Sequence, residues 1–270
     1  MKKNNVVPIT IVSVLISFLA GSFGAYLIVI NTNLGQNVIK NVTQSNYTET
    51  SITASVDKIY DAVVVVEGFN QNTLYSTGTG FVYKKEGKKA YIMTNNHVVD
   101  GSNEIKIVFS NNEEIEAKVV GKETYSDIAV LEVDADKILK VATLGNTDDI
   151  NAGDTVFTVG SPEGIEYFGT VTRGVLSAKD RLVKVSYNGN VSDYYMKVLQ
   201  TDAAINSGNS GGALVNSKGE LIGINSIKLS GTGIEGIGFA MPINSSMNII
   251  NQLIEYGNVK RPYIGIGGRN

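Results

Sequence analysis

Cysteine and tryptophan are absent from the 270 residues, histidine occurs once and proline four times. Without cysteine there is no disulfide framework, no thiolate metal site and no cysteine to carry a lipid after an apolar leader. A single imidazole leaves a zinc ion almost no ligands, so neither metal nor cofactor is expected. Scarce proline beside 29 glycines suits an all-β domain with many tight turns. Charge is also nearly balanced. Twenty-three basic and 26 acidic residues leave −3 with no basic stripe, so nucleic acid is not an expected partner. With 43% hydrophobic residues, the chain can bury one sizeable core or two small ones.

Lys2 and Lys3 precede an uncharged run from Val6 to Ile30. As a helix this run would reach about 37 Å, more than the roughly 30 Å hydrocarbon core of a bilayer. The paired lysines are expected to stay cytoplasmic and to place the rest of the chain outside, as a single-pass protein of the cell membrane. A cleaved signal peptide is the rival reading, with small residues at Ala20-Gly21-Ser22 or Phe23-Gly24-Ala25. Its apolar region is usually only about 7–15 residues long, which favours an uncleaved anchor.

From Asn31 to about Ser51 the chain is mostly Asn, Thr, Gln and Ser, which reads as a linker. Ser55 to Tyr60 predicts a short helical entry. Short β-branched and aromatic runs follow at Ala62–Val66, Thr79–Tyr83, Ala90–Thr94, Glu104–Phe109, Glu114–Val120 and Ile128–Val133. A second series occupies Thr155–Val159, Gly169–Ser177, Tyr195–Thr201, Ala213–Val215, Leu221–Ser226 and Gly238–Met241. The polar stretch Gly145 to Gly153 is a natural seam between the two. Ser245 to Tyr256 has the spacing of an amphipathic helix stopped by Gly257. The expected division is anchor 1–30, linker 31–54, first β-unit 55–145, second β-unit with its helix 146–258, and the opening of something further at 259–270.

Three segments carry chemistry. His97, in Thr94-Asn95-Asn96-His97-Val98-Val99, is the only side chain whose ordinary charge change falls between pH 5 and 8. Asp127 leads the apolar run Ile128-Ala129-Val130-Leu131, a setting that can hold a carboxylate rigid and half-buried. Asp100, Asp134, Asp136 and Asp154 are the other acids considered. Asp100 is only three residues beyond His97, where it caps or solvates the turn, while Asp134 and Asp136 lie past the strand in a polar stretch. Ser210 sits in Gly208-Asn209-Ser210-Gly211-Gly212, where glycines let backbone amides approach a reacting carbonyl. An unassisted hydroxyl is a poor nucleophile, so a base must take its proton and an acid must orient that base. Each residue alone has a plainer reading: a satisfied histidine, a strand-start acid, a turn serine.

Two motifs mislead. Gly208-x-Ser210-x-Gly212 matches a nucleophile elbow, but that arrangement needs a histidine after the serine and a helix after the turn. Gly231-Thr232-Gly233-Ile234-Glu235-Gly236 spells a dinucleotide fingerprint without the βαβ unit that gives it meaning.

Taken together, Thr94–Val99, Asp127–Leu131 and Thr201–Leu214 resemble the HtrA/Deg family of serine proteases, with Gly153-Asp154, Val159–Gly164, Thr170–Ser177 and Gly238–Pro242 as supporting pieces. The resemblance runs from about residue 55 onward. It implies two six-stranded antiparallel β-barrels of chymotrypsin type, with a membrane helix before them and a helix after. Endoproteolysis of unfolded or damaged extracytoplasmic polypeptides and a homotrimer are also implied. His97, Asp127 and Ser210 become the catalytic set, with amides of Gly208, Asn209 and Ser210 as oxyanion donors. Ala204, Ile205, Asn225, Ser226 and Ile227 become substrate-binding residues. Ala204 stands six residues before the serine and offers no acid to a basic side chain, which implies cleavage after small or medium aliphatic residues. Asp180–Asp193 resembles a regulatory loop, and Arg261-Pro262-Tyr263-Ile264-Gly265 the entry of a PDZ domain. The family usually has proline at Ser207. A catalytically silent, chaperone-like scaffold of the same fold is the alternative function.

Overall fold

Two β-barrels of identical strand order account for most of the protein. In the computed structural model, residues 6–31, 50–185, 194–226 and 236–261 are described. Strands β1 (Val63–Asn70), β2 (Thr73–Glu86), β3 (Lys89–Thr94), β4 (Glu104–Val108), β5 (Glu114–Glu123) and β6 (Ile128–Asp134) close in the order β1-β2-β3-β6-β5-β4. Strands β7 (Thr155–Gly160), β8 (Thr170–Val185), β9 (Tyr194–Thr201), β10 (Ala213–Asn216), β11 (Leu221–Asn225) and β12 (Gly238–Pro242) repeat the pattern as β7-β8-β9-β12-β11-β10. Every paired strand is antiparallel. The all-β, two-barrel expectation is met.

The helices are few. α1 spans Val6–Asn31, in the first of two compact units, Met1–Thr48 and Glu49–Asn270. Over 11–27, where side chains are described, all residues but Gly24 are exposed. Among the described residues no helix is long and apolar enough to cross a membrane. α2 (Thr50–Ile59) leads into β1 through a single 3-10 turn at Tyr60–Ala62. The one-turn α3 (Asn96–Val99) follows β3. α4 (Ile243–Tyr256) ends at Gly257, whose φ of 73° and N–H bond to the Leu253 carbonyl (2.9 Å) make the glycine stop expected from the sequence.

The β-branched runs are buried on both faces for a simple reason. Along β6, Ile128 and Val130 belong to the core shared between the barrels, whereas Ala129, Leu131 and Val133 fill the first barrel. β3 alternates likewise, with Tyr91 and Met93 facing the shared core and Ala90 and Ile92 facing inward. The shared core also takes Phe81, Phe157, Val159 and Ala213 with Ile250 and Leu253 of α4. At roughly 1.5–3 kcal/mol for each large apolar side chain buried, this seam is what fixes one barrel against the other. The seam matters because the chemistry lies across it.

β8 runs on to Val185, so the first part of the expected regulatory loop, Asp180–Val185, is strand paired with β9. Its tip at 187–190, the glycine-rich 231–235 and the segment from Pro262 onward lie outside the described residues.

Candidate active site

Asp127 is the first fixed point. It stands one residue before β6, only 2% exposed in its side chain, and adopts φ 55° although it is not glycine. Aspartate tolerates this left-handed conformation better than most residues, and here the turn aims its carboxylate inward. Three donors converge on that carboxylate. The His97 backbone N–H reaches Oδ1 at 3.0 Å, and His97 Nδ1 and the Ser226 hydroxyl reach Oδ2 at 2.7 and 3.0 Å. The Asp127 carbonyl is held as well, by the Asn96 N–H (3.0 Å) and by Asn95 Nδ2 (2.9 Å).

His97 lies on α3 with its side chain 31% exposed, so Nδ1 meets Asp127 while part of the ring stays open to solvent. A carboxylate at Nδ1 makes that nitrogen the donor and leaves Nε2 as the acceptor. This is the tautomer a general base needs.

Ser210, 3% exposed, sits between two glycines at positive φ, Gly208 (90°) and Gly211 (83°). Only glycine fits at Gly211. A Cβ there would lie 2.2 Å from the Thr79 carbonyl oxygen and 2.4 Å from Thr94 Oγ1. The serine turn is thereby pressed against the end of β3 at Thr94, three residues before His97. Thr79 of β2 is the clasp. Its N–H donates to the Ser210 carbonyl (2.9 Å) and its hydroxyl to the Gly208 carbonyl (2.6 Å), while Thr94 Oγ1 donates to the Thr79 carbonyl (2.7 Å). From the other side the Gly211 N–H donates to the Asn225 carbonyl and the Asn225 N–H to the Gly212 carbonyl, each at 2.9 Å. Asp127, Ser226, Asn225 and Gly211 thus form a continuous bonded path from the carboxylate to the serine turn.

Other expected residues land differently. The Asn209 N–H donates to the Asn206 carbonyl (3.0 Å), so it is not turned toward a reacting oxygen; the Gly208 amide has no acceptor among the described residues. The Asn209 side chain is fully buried beside Gly160, with no partner for either polar atom. Asn225 is buried too, and its Nδ2 donates to the Ala213 carbonyl (3.3 Å). Ser226 directs its hydroxyl at Asp127, not at a substrate pocket. Both therefore brace the site. Ala204 is exposed, its carbonyl bonded to Thr172 Oγ1 (2.8 Å), and the Ile205 side chain lies over Gly238. Ile227 lies outside the described residues. Among the described residues no cluster of metal-ligating side chains occurs.

Behind Asp127, Glu123 accepts from the Ser126 N–H and hydroxyl and from the Arg261 guanidinium (2.9 and 3.2 Å). Burial alone would push its carboxyl up, but the bonds from Arg261 and Ser126 outweigh that and hold it below the usual carboxylate range. Tyr194 bonds the Tyr125 carbonyl, and burial, aided by the charges of Glu123 and Asp127, pushes its phenol up to about 12. Sequence reasoning missed Thr79, Glu123 and Tyr194. Thr79 and Tyr194 bond residues distant in the chain, and the local bonds of Glu123 to Ser126 gain their cation only from the distant Arg261.

The trypsin-like peptidase domain matches residues 78–224. The serine protease Do-like HtrA of Lactobacillus helveticus is 48% identical over 196 residues, covering 71% of this chain and 46% of that protein. The serine protease Do-like HtrB of Bacillus subtilis is 39% identical over 247 residues, covering 84% and 54%. The chain therefore spans about half the length of the curated relatives it matches. Among solved structures, the serine endoprotease from Yersinia pestis superposes with a TM-score of 0.68 at 36% identity, covering 82% of this chain and 73% of that one. The HtrA-type protease AlgW with tripeptide gives 0.64 at 35% identity, covering 77% and 65%.

Proposed function

Because this chain belongs to the HtrA-type, trypsin-like serine peptidases, we propose that it is a serine endopeptidase acting through an acyl-enzyme. The observation that carries the reading is the 2.7 Å contact between His97 Nδ1 and the buried Asp127 carboxylate. It supports a ring held by Nδ1 with Nε2 left as the acceptor, the role of a base to Ser210.

In the first half-reaction, Ser210 Oγ attacks the peptide carbonyl carbon as His97 Nε2 takes the hydroxyl proton. The carbonyl electrons move to oxygen, where the Gly208 and Ser210 amides stabilise the anion. Collapse breaks the C–N bond, and His97 gives its proton to the leaving amine. Water then repeats the sequence on the ester and frees Ser210. Asp127 keeps the ring oriented throughout and stabilises the imidazolium.

The substrate reading is an unfolded or damaged polypeptide outside the cytoplasm, cut after small or medium aliphatic residues. Ala204 and Ile205 support the second part, since neither supplies a charge to a basic side chain. Membrane attachment through the apolar 6–30 run and assembly as a homotrimer complete the proposal. Its test is hydrolysis of denatured casein by the wild type, Ser210→Ala and His97→Ala. Cleavage by the wild type alone supports the reading; equal cleavage by Ser210→Ala would falsify it.

A further inference from the structure

Beside the serine turn lies a second cleft that the proposed reaction leaves unused. Its cavity of about 310 Å³ is lined by Pro162, Glu163, Tyr167, Asn206 and Ser207. One wall is the segment that runs directly into Gly208; the other is the turn after β7. The two walls hang from a single hydroxyl. Thr79 Oγ1 donates to the Gly208 carbonyl (2.6 Å) and accepts from the Ser161 N–H (2.9 Å). A Cβ on Gly208 would lie 2.4 Å from the Glu163 nitrogen, so Glu163 is next to the oxyanion amide.

The wall residues have a consistent chemistry. Glu163 is exposed, and among the described residues no cation or hydrogen-bond donor engages its carboxylate. Glu166 nearby is also exposed and adds a second negative charge. Tyr167 shows 54% of its surface and offers a ring face. Glu163 also holds a φ of 57°, a conformation that glycine or asparagine adopts more readily. The turn is kept in this shape by Ser161, whose carbonyl accepts from the Gly164 N–H (3.2 Å) and whose hydroxyl donates to the Gly164 carbonyl. A turn at a left-handed backbone position thus sets Glu163, whose carboxylate engages no partner among the described residues, at the wall of the cleft.

We propose that Glu163 and Tyr167 form a cation-selecting subsite that takes a lysine or arginine side chain of the polypeptide substrate near the scissile bond. It rests on the peptidase reading above. The subsite is separate from the pocket for the residue whose carbonyl is attacked. Ile205 of that pocket lies over Gly238 of β12, whereas Asn206 and Ser207 face Glu163 and Tyr167. The carboxylate supplies charge, the ring a cation–π face, and the cavity has room for a long side chain.

The experiment uses the full chain and fluorogenic peptides identical except for lysine or glutamine at one position at a time. At low salt the wild type is expected to favour lysine roughly two- to fivefold in kcat/KM at one position other than the attacked residue, the size an exposed ion pair supports. Salt should shrink that ratio. Glu163→Gln, and Glu163→Asn as a neutral residue suited to the left-handed turn, should bring the ratio to one. Glu163→Lys should turn it in favour of glutamine. A flat ratio at every position in the wild type, or an unchanged lysine preference in both neutral variants, overturns the subsite. Casein hydrolysis by the same preparation separates the two levels. Cleavage without charge preference removes the subsite alone, and absence of cleavage removes the peptidase reading and the subsite with it.

Discussion

The hydroxyl of Ser226, at the end of β11 in the second barrel, donates to Asp127 Oδ2 at 3.0 Å in the first. That oxygen is the one that faces His97 Nδ1. The orientation of the imidazole is therefore set from both barrels, and any loosening of the seam between them would reach the base. Replacing Ser226 with alanine removes one of three donors from a buried carboxylate without touching the ring. A hydrogen bond to a charged group is worth about 1.5–3 kcal/mol, so kcat should fall by roughly tenfold or more while KM changes little. Steady-state kinetics on one peptide check this; an equal loss in both parameters, or none, contradicts it.

Gly211→Ala should be severely destabilising. The new methyl carbon would stand 2.2 Å from the Thr79 carbonyl oxygen and would have to hold φ 83°. A loss of about 3 kcal/mol is expected, lowering Tm by roughly 10 °C. Thermal unfolding measures it, with Gly87→Ala as the comparison, since a Cβ on Gly87 meets nothing within 4 Å even though its φ is 60°.

Glu123 predicts a pH-dependent stability. Its folded value lies below the ordinary carboxylate value, so its contribution is full above about pH 5 and is lost as pH falls through the folded value. Arg261 is half exposed, which limits its share to about 1 kcal/mol. Arg261→Ala should lower the urea midpoint at pH 7, and the gap from wild type should close as the pH falls through the folded value of Glu123. A gap that persists in acid would show that Arg261 acts through packing on Tyr125 rather than through Glu123.

Peptide profiling tests the reading of Ala204. Substrates with Val, Ala or Ile at the cleaved position should exceed those with Lys or Arg by at least about tenfold, since a buried cation without a partner is costly. A strong preference for Lys or Arg there would overturn the reading of the pocket.

Much of this architecture was legible in the residues. Runs such as Ala62–Val66 and Ile128–Val133 have β-branched, two-faced composition, and the structure explains it by burying alternate residues in two different cores. His97, Asp127 and Ser210 stood out by residue type and order. The bracing residues did not. Asn225 and Ser226 close the apolar run Leu221–Ser226 and read equally well as pocket lining; only the bonds from Asn225 to the serine turn and from Ser226 to Asp127 show that they brace the site. Thr79 has no local signature at all, because its four bonds go to residues between 15 and 131 positions away. The strand character of Asp180–Val185 was hidden by its charges, which suit an exposed ladder as well as a loop.

Covalent labelling with a fluorophosphonate, followed by mapping of the modified peptide, tests the whole account most directly. The label should appear on Ser210 in the wild type, disappear in Ser210→Ala, and fall to background in His97→Ala, whose hydroxyl has lost its base. Labelling of His97→Ala at the wild-type rate, or of some other residue, would contradict an imidazole-activated nucleophile at Ser210.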